Sequence, residues 1–254
     1  YGACKQHPHD HVVFALTPEQ MSAVWMMRIL LLLTTVAGLK YTRTFDSFSL
    51  RDLVPEWTIE YDACLEGIAI IWFRRQPDGT EVAMGCYAAS LKDMGLSADG
   101  SGRMNTAEFI TETIGIRGLA GRITGPAAVR VRGDNTSAMT WAEKSSFKSD
   151  YATRAAVVHV AQRVRSAIEV VTQEHLPHTR EYDWNWRCDK VSRGECTWTQ
   201  VMALDRRDSK GSRLDERMVP WEVEGDTAIL ALCNPNRGGV VDAAFVASVL
   251  VIVE

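Results

Sequence analysis

No Cys-x-x-Cys pair occurs in the chain, and its six cysteines are scattered. That excludes the common zinc ribbons and thioredoxin-like redox motifs. The expected state is reduced, buried thiols in an intracellular protein, with nucleus, cytoplasm and organelle all open. Cys188, Cys196, His175 and His178 match the spacing of no common zinc module. A global basic charge is also missing: the net charge is −4, so the chain as a whole does not attract nucleic acid. Long apolar runs are absent. Ile29 to Leu39 follows Arg28 and is too short to span a bilayer, and no secretory signal is visible, so no membrane partner is expected. There is no internal repeat, which argues against a solenoid. The chain begins at Tyr1 rather than Met, as a processed product or a piece of a longer protein would.

What is present suits a globular protein. The 254 residues, 46% hydrophobic and 24% charged, are enough for one large domain with flanking segments. Charge is unevenly placed. From Arg117 to Arg165 the bases Arg117, Arg122, Arg130, Arg132, Lys144, Lys148, Arg154, Arg163 and Arg165 outnumber the acids Asp134, Glu143 and Asp150. Such a segment can meet a phosphate backbone or form a solvated face. His7, His9 and His11 alternate in a polar N-terminal stretch, where weak metal binding and a mobile tail are the two readings.

Local patterns set the expected elements. Thr17-Pro18-Glu19-Gln20 is a helix start with a capping box, opening an apolar helix that stops near Gly38. Trp57 to Phe73 reads as a strand pair or one long strand, and Pro77-Asp78-Gly79 as the turn into a hairpin strand over Glu81 to Leu91. Helices are expected over Asn105 to Leu119, Thr136 to Lys144 and Asp150 to Val171, and strands over Ala127 to Arg132 and Val170 to His175. The order implies a mixed sheet with helices on its faces, an α/β protein. Residues 205–217, dominated by charge, read as a mobile loop or linker before apolar segments resume.

Four acids stand out, each in its own setting. Asp62 lies inside a β-branched and aromatic strand, where a carboxylate is costly to bury unless paired or metal-bound; a solvent-facing edge position is the alternative. Glu108 follows Asn105 by three, the spacing of a capping box. Asp134 ends a strand and precedes a helix, where functional groups and caps both occur. Asp189, with Asp183 as its nearest competitor, also has helix capping as an ordinary explanation. Carboxylates converging from separate elements suit hard divalent cations.

Taken together, Asp62-Ala63-Cys64-Leu65-Glu66-Gly67, Asn105 to Glu108, Asp134-Asn135-Thr136 and Asn185 to Arg193 resemble, in order, the motifs of the ribonuclease H family. The likeness is to the domain that follows the polymerase in gypsy- and DIRS-type retroelement reverse transcriptases. It covers residues 56–194, with Cys64, Ala69, Cys188 and Val191 departing from the usual residues and a longer stretch over Glu174 to Trp186. The resemblance implies a mixed five-stranded sheet flanked by helices at 56–194, a helical thumb-like segment at 1–55 and a mixed C-terminal extension at 195–254. It also implies two Mg²⁺ or Mn²⁺ ions about 4 Å apart on Asp62, Glu108, Asp134 and Asp189, with Asp62 shared.

The implied activity is hydrolysis of the RNA strand of an RNA–DNA hybrid, with His175 or His178 assisting product release. Asn105, Asn135, Thr136, Arg132, Lys144, Lys148 and Arg193 are the expected nucleic-acid contacts. The remainder of a reverse transcriptase or a ribonucleoprotein is the expected partner; a catalytically silent scaffold is the alternative. No Tyr-x-Asp-Asp motif is present, so polymerase activity is not expected. A transposase or integrase would need a different order of acids, ending in Glu.

Overall fold

The computed structural model describes residues 17, 20, 24, 27, 28, 31, 54–92, 101–124, 127–144, 150–166, 168–176, 183–204, 213–223, 225–233 and 241–253. Its centre is a mixed sheet of six strands in the order β5-β4-β1-β2-β3-β6. The strands are β1 (Trp57–Ala63), β2 (Gly67–Arg75), β3 (Glu81–Ser90), β4 (Ala127–Gly133), β5 (Ile168–His175) and β6 (Arg213–Pro220). β1, β2 and β3 form an antiparallel meander; β4 joins β1 in parallel, β5 joins β4, and β6 joins β3. Besides the helical residues described between 20 and 31, the helices among the described residues are α1 (Ser101–Ala120), α2 (Thr136–Lys144), α3 (Asp150–Ser166), α4 (Trp184–Ser192), α5 (Trp198–Met202), α6 (Asp226–Leu232) and α7 (Ala243–Val253).

Central position explains why β1 and β2 are buried on both faces. Ile59, Tyr61, Ile68, Ile70 and Trp72 face the helices α1 and α3, in a core that also includes Ile229, Phe245 and Val249. Ala69, Ile71 and Phe73 face α4 and α5, against Trp184, Cys188, Trp198 and Val201. The turn at Pro77-Asp78-Gly79 forms as expected: Gly79 has φ 82° and the Asp78 carboxylate accepts from the Thr80 N–H at 3.0 Å. The N-terminal capping box is also present, with Gln20 N–H donating to Thr17 Oγ1 (3.3 Å) and Thr17 N–H to Gln20 Oε1 (2.9 Å). His7, His9, His11, Lys148, His178 and the helix stop near Gly38 lie outside the described residues.

Three expectations are corrected. The sheet has six strands rather than five, because part of the supposed linker, Arg213 onward, pairs with β3. The segment after 194 therefore completes the sheet and its core. Trp221 stacks on Trp72 with ring centroids 4.6 Å apart, through a gap that exists because residue 85 is glycine: a Cβ there would lie 2.1 Å from the indole. α3 stops at Ser166 rather than Val171, since Ile168, itself buried, is taken into strand β5 and its N–H meets the Ser166 hydroxyl. α1 starts at Ser101, so Asn105 and Glu108 lie within the helix and the capping box expected there does not form.

Candidate metal centre

β1 and β4 run in parallel and end side by side, with Asp62 one residue from the end of β1 and Asp134 immediately after β4. The strand-end position lets both carboxylates clear the sheet, as in open α/β sheets generally. Glu108 arrives from α1 on the opposite face. Carboxylate oxygens of Asp62, Glu108 and Asp134 all lie within 4.8 Å of one another, a group that can hold a metal ion. Asp62 and Glu108 are 4% and 3% exposed, while Asp134 opens to solvent.

The arrangement is held by neighbours. Ser192 Oγ donates to Asp62 Oδ2 at 2.5 Å, tying α4 to β1. The Ala63 N–H donates to Glu108 Oε1 at 3.3 Å, while Glu108 Oε2 is buried without a hydrogen-bond partner. Asn135 Nδ2 donates to Asn105 Oδ1 at 2.9 Å, and Asn135 Oδ1 accepts from the Ala138 N–H at 3.0 Å. One asparagine thus caps α2 and links it to α1, fixing the elements that carry Asp134 and Glu108. His175 Nε2 donates to the Asp134 backbone carbonyl at 2.9 Å, placing an exposed imidazole at the rim.

Burial and mutual repulsion disfavour the ionised acids. Burial pushes Asp62 up to about 7, with Asp134 and Asp189 adding repulsion and the Ser192 hydrogen bond opposing it. Glu108 is raised well above the usual range, by burial first and then by Asp62 and Asp134. Asp134 is raised mainly by burial, against its own backbone hydrogen bond and the charge of Arg193. A divalent cation reverses this balance by favouring the carboxylates.

Not every expected site residue joins the trio. Asp189, within α4, is near enough to act electrostatically on Asp62 and Asp134 but is not among the three converging acids. Its Oδ1 accepts from Arg193 Nε at 2.6 Å. Asp183 stands at the N-cap of the same helix. Arg132 is a correction: it is 5% exposed, and Glu81 (2.6 Å), Glu174 (2.8 Å) and Glu60 (3.8 Å) surround its guanidinium, so it is bound internally rather than offered to a phosphate. Thr136 is exposed at the start of α2; Lys144 ends that helix, with its side chain outside the described residues.

Two features escaped the reading of single residues. Ser192 sits in the last motif, but its bond to Asp62 needs the packing of α4 on β1. Glu112, one turn beyond Glu108 on α1, is fully buried and accepts from Tyr61 Oη (3.3 Å) and Gln173 Nε2 (3.1 Å). The four-residue spacing from Glu108 was its only signal. The five described cysteines form no disulfide with one another, and Cys188 is enclosed in the core. Among the described residues no helix is long and apolar enough to cross a membrane. Comparisons with protein-family models, curated proteins and solved structures return no match for this chain.

Proposed function

We propose that the chain is a divalent-metal-dependent phosphodiester hydrolase of the ribonuclease H type, acting on the RNA strand of an RNA–DNA hybrid. The observation that carries this reading is the convergence of Asp62, Glu108 and Asp134 from three separate elements to within 4.8 Å. Their donor set, three carboxylates, fits Mg²⁺ or Mn²⁺. So does the orphaned Glu108 Oε2, a buried acceptor in need of a positive partner.

When bound, such a metal supplies Lewis acidity toward a phosphoryl oxygen and makes water a better nucleophile at neutral pH. The residues of the chain prepare for that. Ser192 and the Ala63 amide each hold one oxygen of Asp62 and Glu108, so the carboxylates are oriented before any ion arrives. Asp134, open to solvent, is the acid that faces an incoming phosphate. His175 sits beside it with an exposed ring able to carry a proton to or from bulk water. A second ion would call on Asp189. Hybrid recognition would rest on 2′-hydroxyls and phosphates, the features that an A-like groove presents.

The alternative, a silent scaffold of the same fold, is favoured by one observation: Asp189 is engaged by Arg193 and stands apart from the trio. The test is incubation of a labelled RNA–DNA hybrid with wild type and Asp134→Asn, in Mg²⁺ and in Mn²⁺. The expected result is cutting by wild type and a loss of at least about a hundredfold in the variant. Hybrid that is bound but uncut in both metals refutes the hydrolase and selects the scaffold.

A further inference from the structure

Arg193 stands beside the acidic trio and holds an acid that does not join it. It closes α4 as the C-cap residue, with φ −77° and ψ −6°, and its N–H reaches the Asp189 backbone carbonyl at 3.1 Å. Its side chain turns back along the same turn, where Nε donates to Asp189 Oδ1 at 2.6 Å. The end of α4 is itself anchored. Ser192 Oγ, which donates to Asp62 Oδ2, also lies 3.0 Å from the Asp189 backbone carbonyl oxygen. One hydroxyl therefore fixes the backbone of Asp189 beside the end of β1. What can still move is the pair of side chains, Asp189 and Arg193.

Both side chains are close enough to act on the trio. The charge of Asp189 raises the carboxyls of Asp62 and Asp134, and the charge of Arg193 lowers the same two. A guanidinium held on Asp189 opposes a divalent ion there in two ways. It occupies one carboxylate oxygen, and it repels the positive charge of the ion. The contact nevertheless opens easily. Arg193 is 52% exposed along its side chain, and the two residues form an i,i+4 pair. Exposed pairs of this kind contribute little to stability. A phosphate is the stronger partner, because a planar guanidinium can meet two of its oxygens at once.

We infer that Arg193 is a latch on Asp189, closed in the free protein and opened by a phosphodiester group. While it is closed, the trio holds one divalent ion and Asp189 stays on the guanidinium. A phosphate that draws Arg193 onto its own oxygens releases Asp189, which can then hold a second ion together with Asp62. The inference rests on the hydrolase reading and deepens it. Phosphate and second ion favour each other by the same factor, so the full set of ligands assembles only with the nucleic acid in place.

The experiment is calorimetric titration of the full chain with Mn²⁺. The proteins are wild type, Arg193→Gln, Arg193→Lys, and Arg193→Gln combined with Asp189→Asn. Arg193 is exposed, so its replacement is safe for folding. The expected result is one ion on wild type and a second ion on Arg193→Gln, tightened about tenfold or more. Arg193→Lys should fall between them, and the double variant should return to one ion. In a second arm, wild type is first saturated with an RNA–DNA hybrid carrying 2′-fluoro groups in place of the 2′-hydroxyls, with saturation followed by fluorescence anisotropy. The second ion should then tighten by a similar factor. Equal Mn²⁺ binding by wild type and Arg193→Gln, or a second ion that survives Asp189→Asn, overturns the latch and leaves the trio as a metal site. So does bound hybrid that leaves the second ion as weak as before. No ion on any of the four proteins overturns the hydrolase reading, and the latch with it.

Discussion

Replacing Glu112 with Gln should make the protein less sensitive to rising pH. Glu112 is fully buried, and burial pushes its carboxyl up to about 7 from an ordinary 4.5, against the lowering effects of Gln173, Arg163 and Tyr61. Between those two values the folded state keeps a proton that the unfolded chain has released. Such a group contributes stability fully below the unfolded pKa and loses it as pH rises through the folded one. The gap between about 7 and 4.5 corresponds to about 3 kcal/mol. Glutamine is neutral throughout, accepts one of the two hydrogen bonds, and offers an N–H to Gln173 Oε1, which is otherwise unpartnered. Urea unfolding of both proteins at about pH 4.5, 6 and 8 isolates Glu112, because the other acids cancel in the difference. Wild type should lose about 3 kcal/mol relative to Glu112→Gln across that range, nearly all of it by about pH 7. A difference that does not change with pH would refute the assignment of a buried, neutral Glu112.

Other outcomes follow from the same structure. Mn²⁺ should bind more weakly as pH falls below about 7, where Asp62 takes up its proton; calorimetry should show up to about tenfold loss per pH unit for each proton displaced. Gly85→Ala should displace Trp221 from Trp72 and cost about 1–3 kcal/mol or more by thermal unfolding, since the added carbon falls on the indole. Arg132→Ala should leave Glu60, Glu81 and Glu174 without their shared cation and cost about 3–5 kcal/mol. Its effect on hybrid affinity, measured by fluorescence anisotropy where the variant is folded, should be small.

The trio was legible in the sequence because each acid sits in a short motif with its own strand or helix signal. Glu108 shows the limit of reading by spacing alone. Asn105 to Glu108 has the form of a cap, yet α1 begins earlier, at Ser101, where Gly100 and Gly102 suggest a loop. Arg132 illustrates a second limit. Alternating Val and Arg in β4 suggests a solvated face, but that face meets Glu60, Glu81 and Glu174, which are distant in sequence and brought there by strand pairing. β6 was missed because its residues, Arg-Leu-Asp-Glu-Arg-Met-Val-Pro, are too charged for a central strand. At a sheet edge the same charge is tolerated and discourages pairing with other molecules.

That last strand bears on how the chain can be shortened. A version ending at residue 194, where the four acidic motifs are complete, would strip β3 of its outer neighbour and leave Trp72 without Trp221. Unpaired amides along β3, beside a bared indole, make a surface onto which a second molecule can add by strand exchange. Such a fragment should self-associate and form inclusion bodies, although every acid of the trio is present in it.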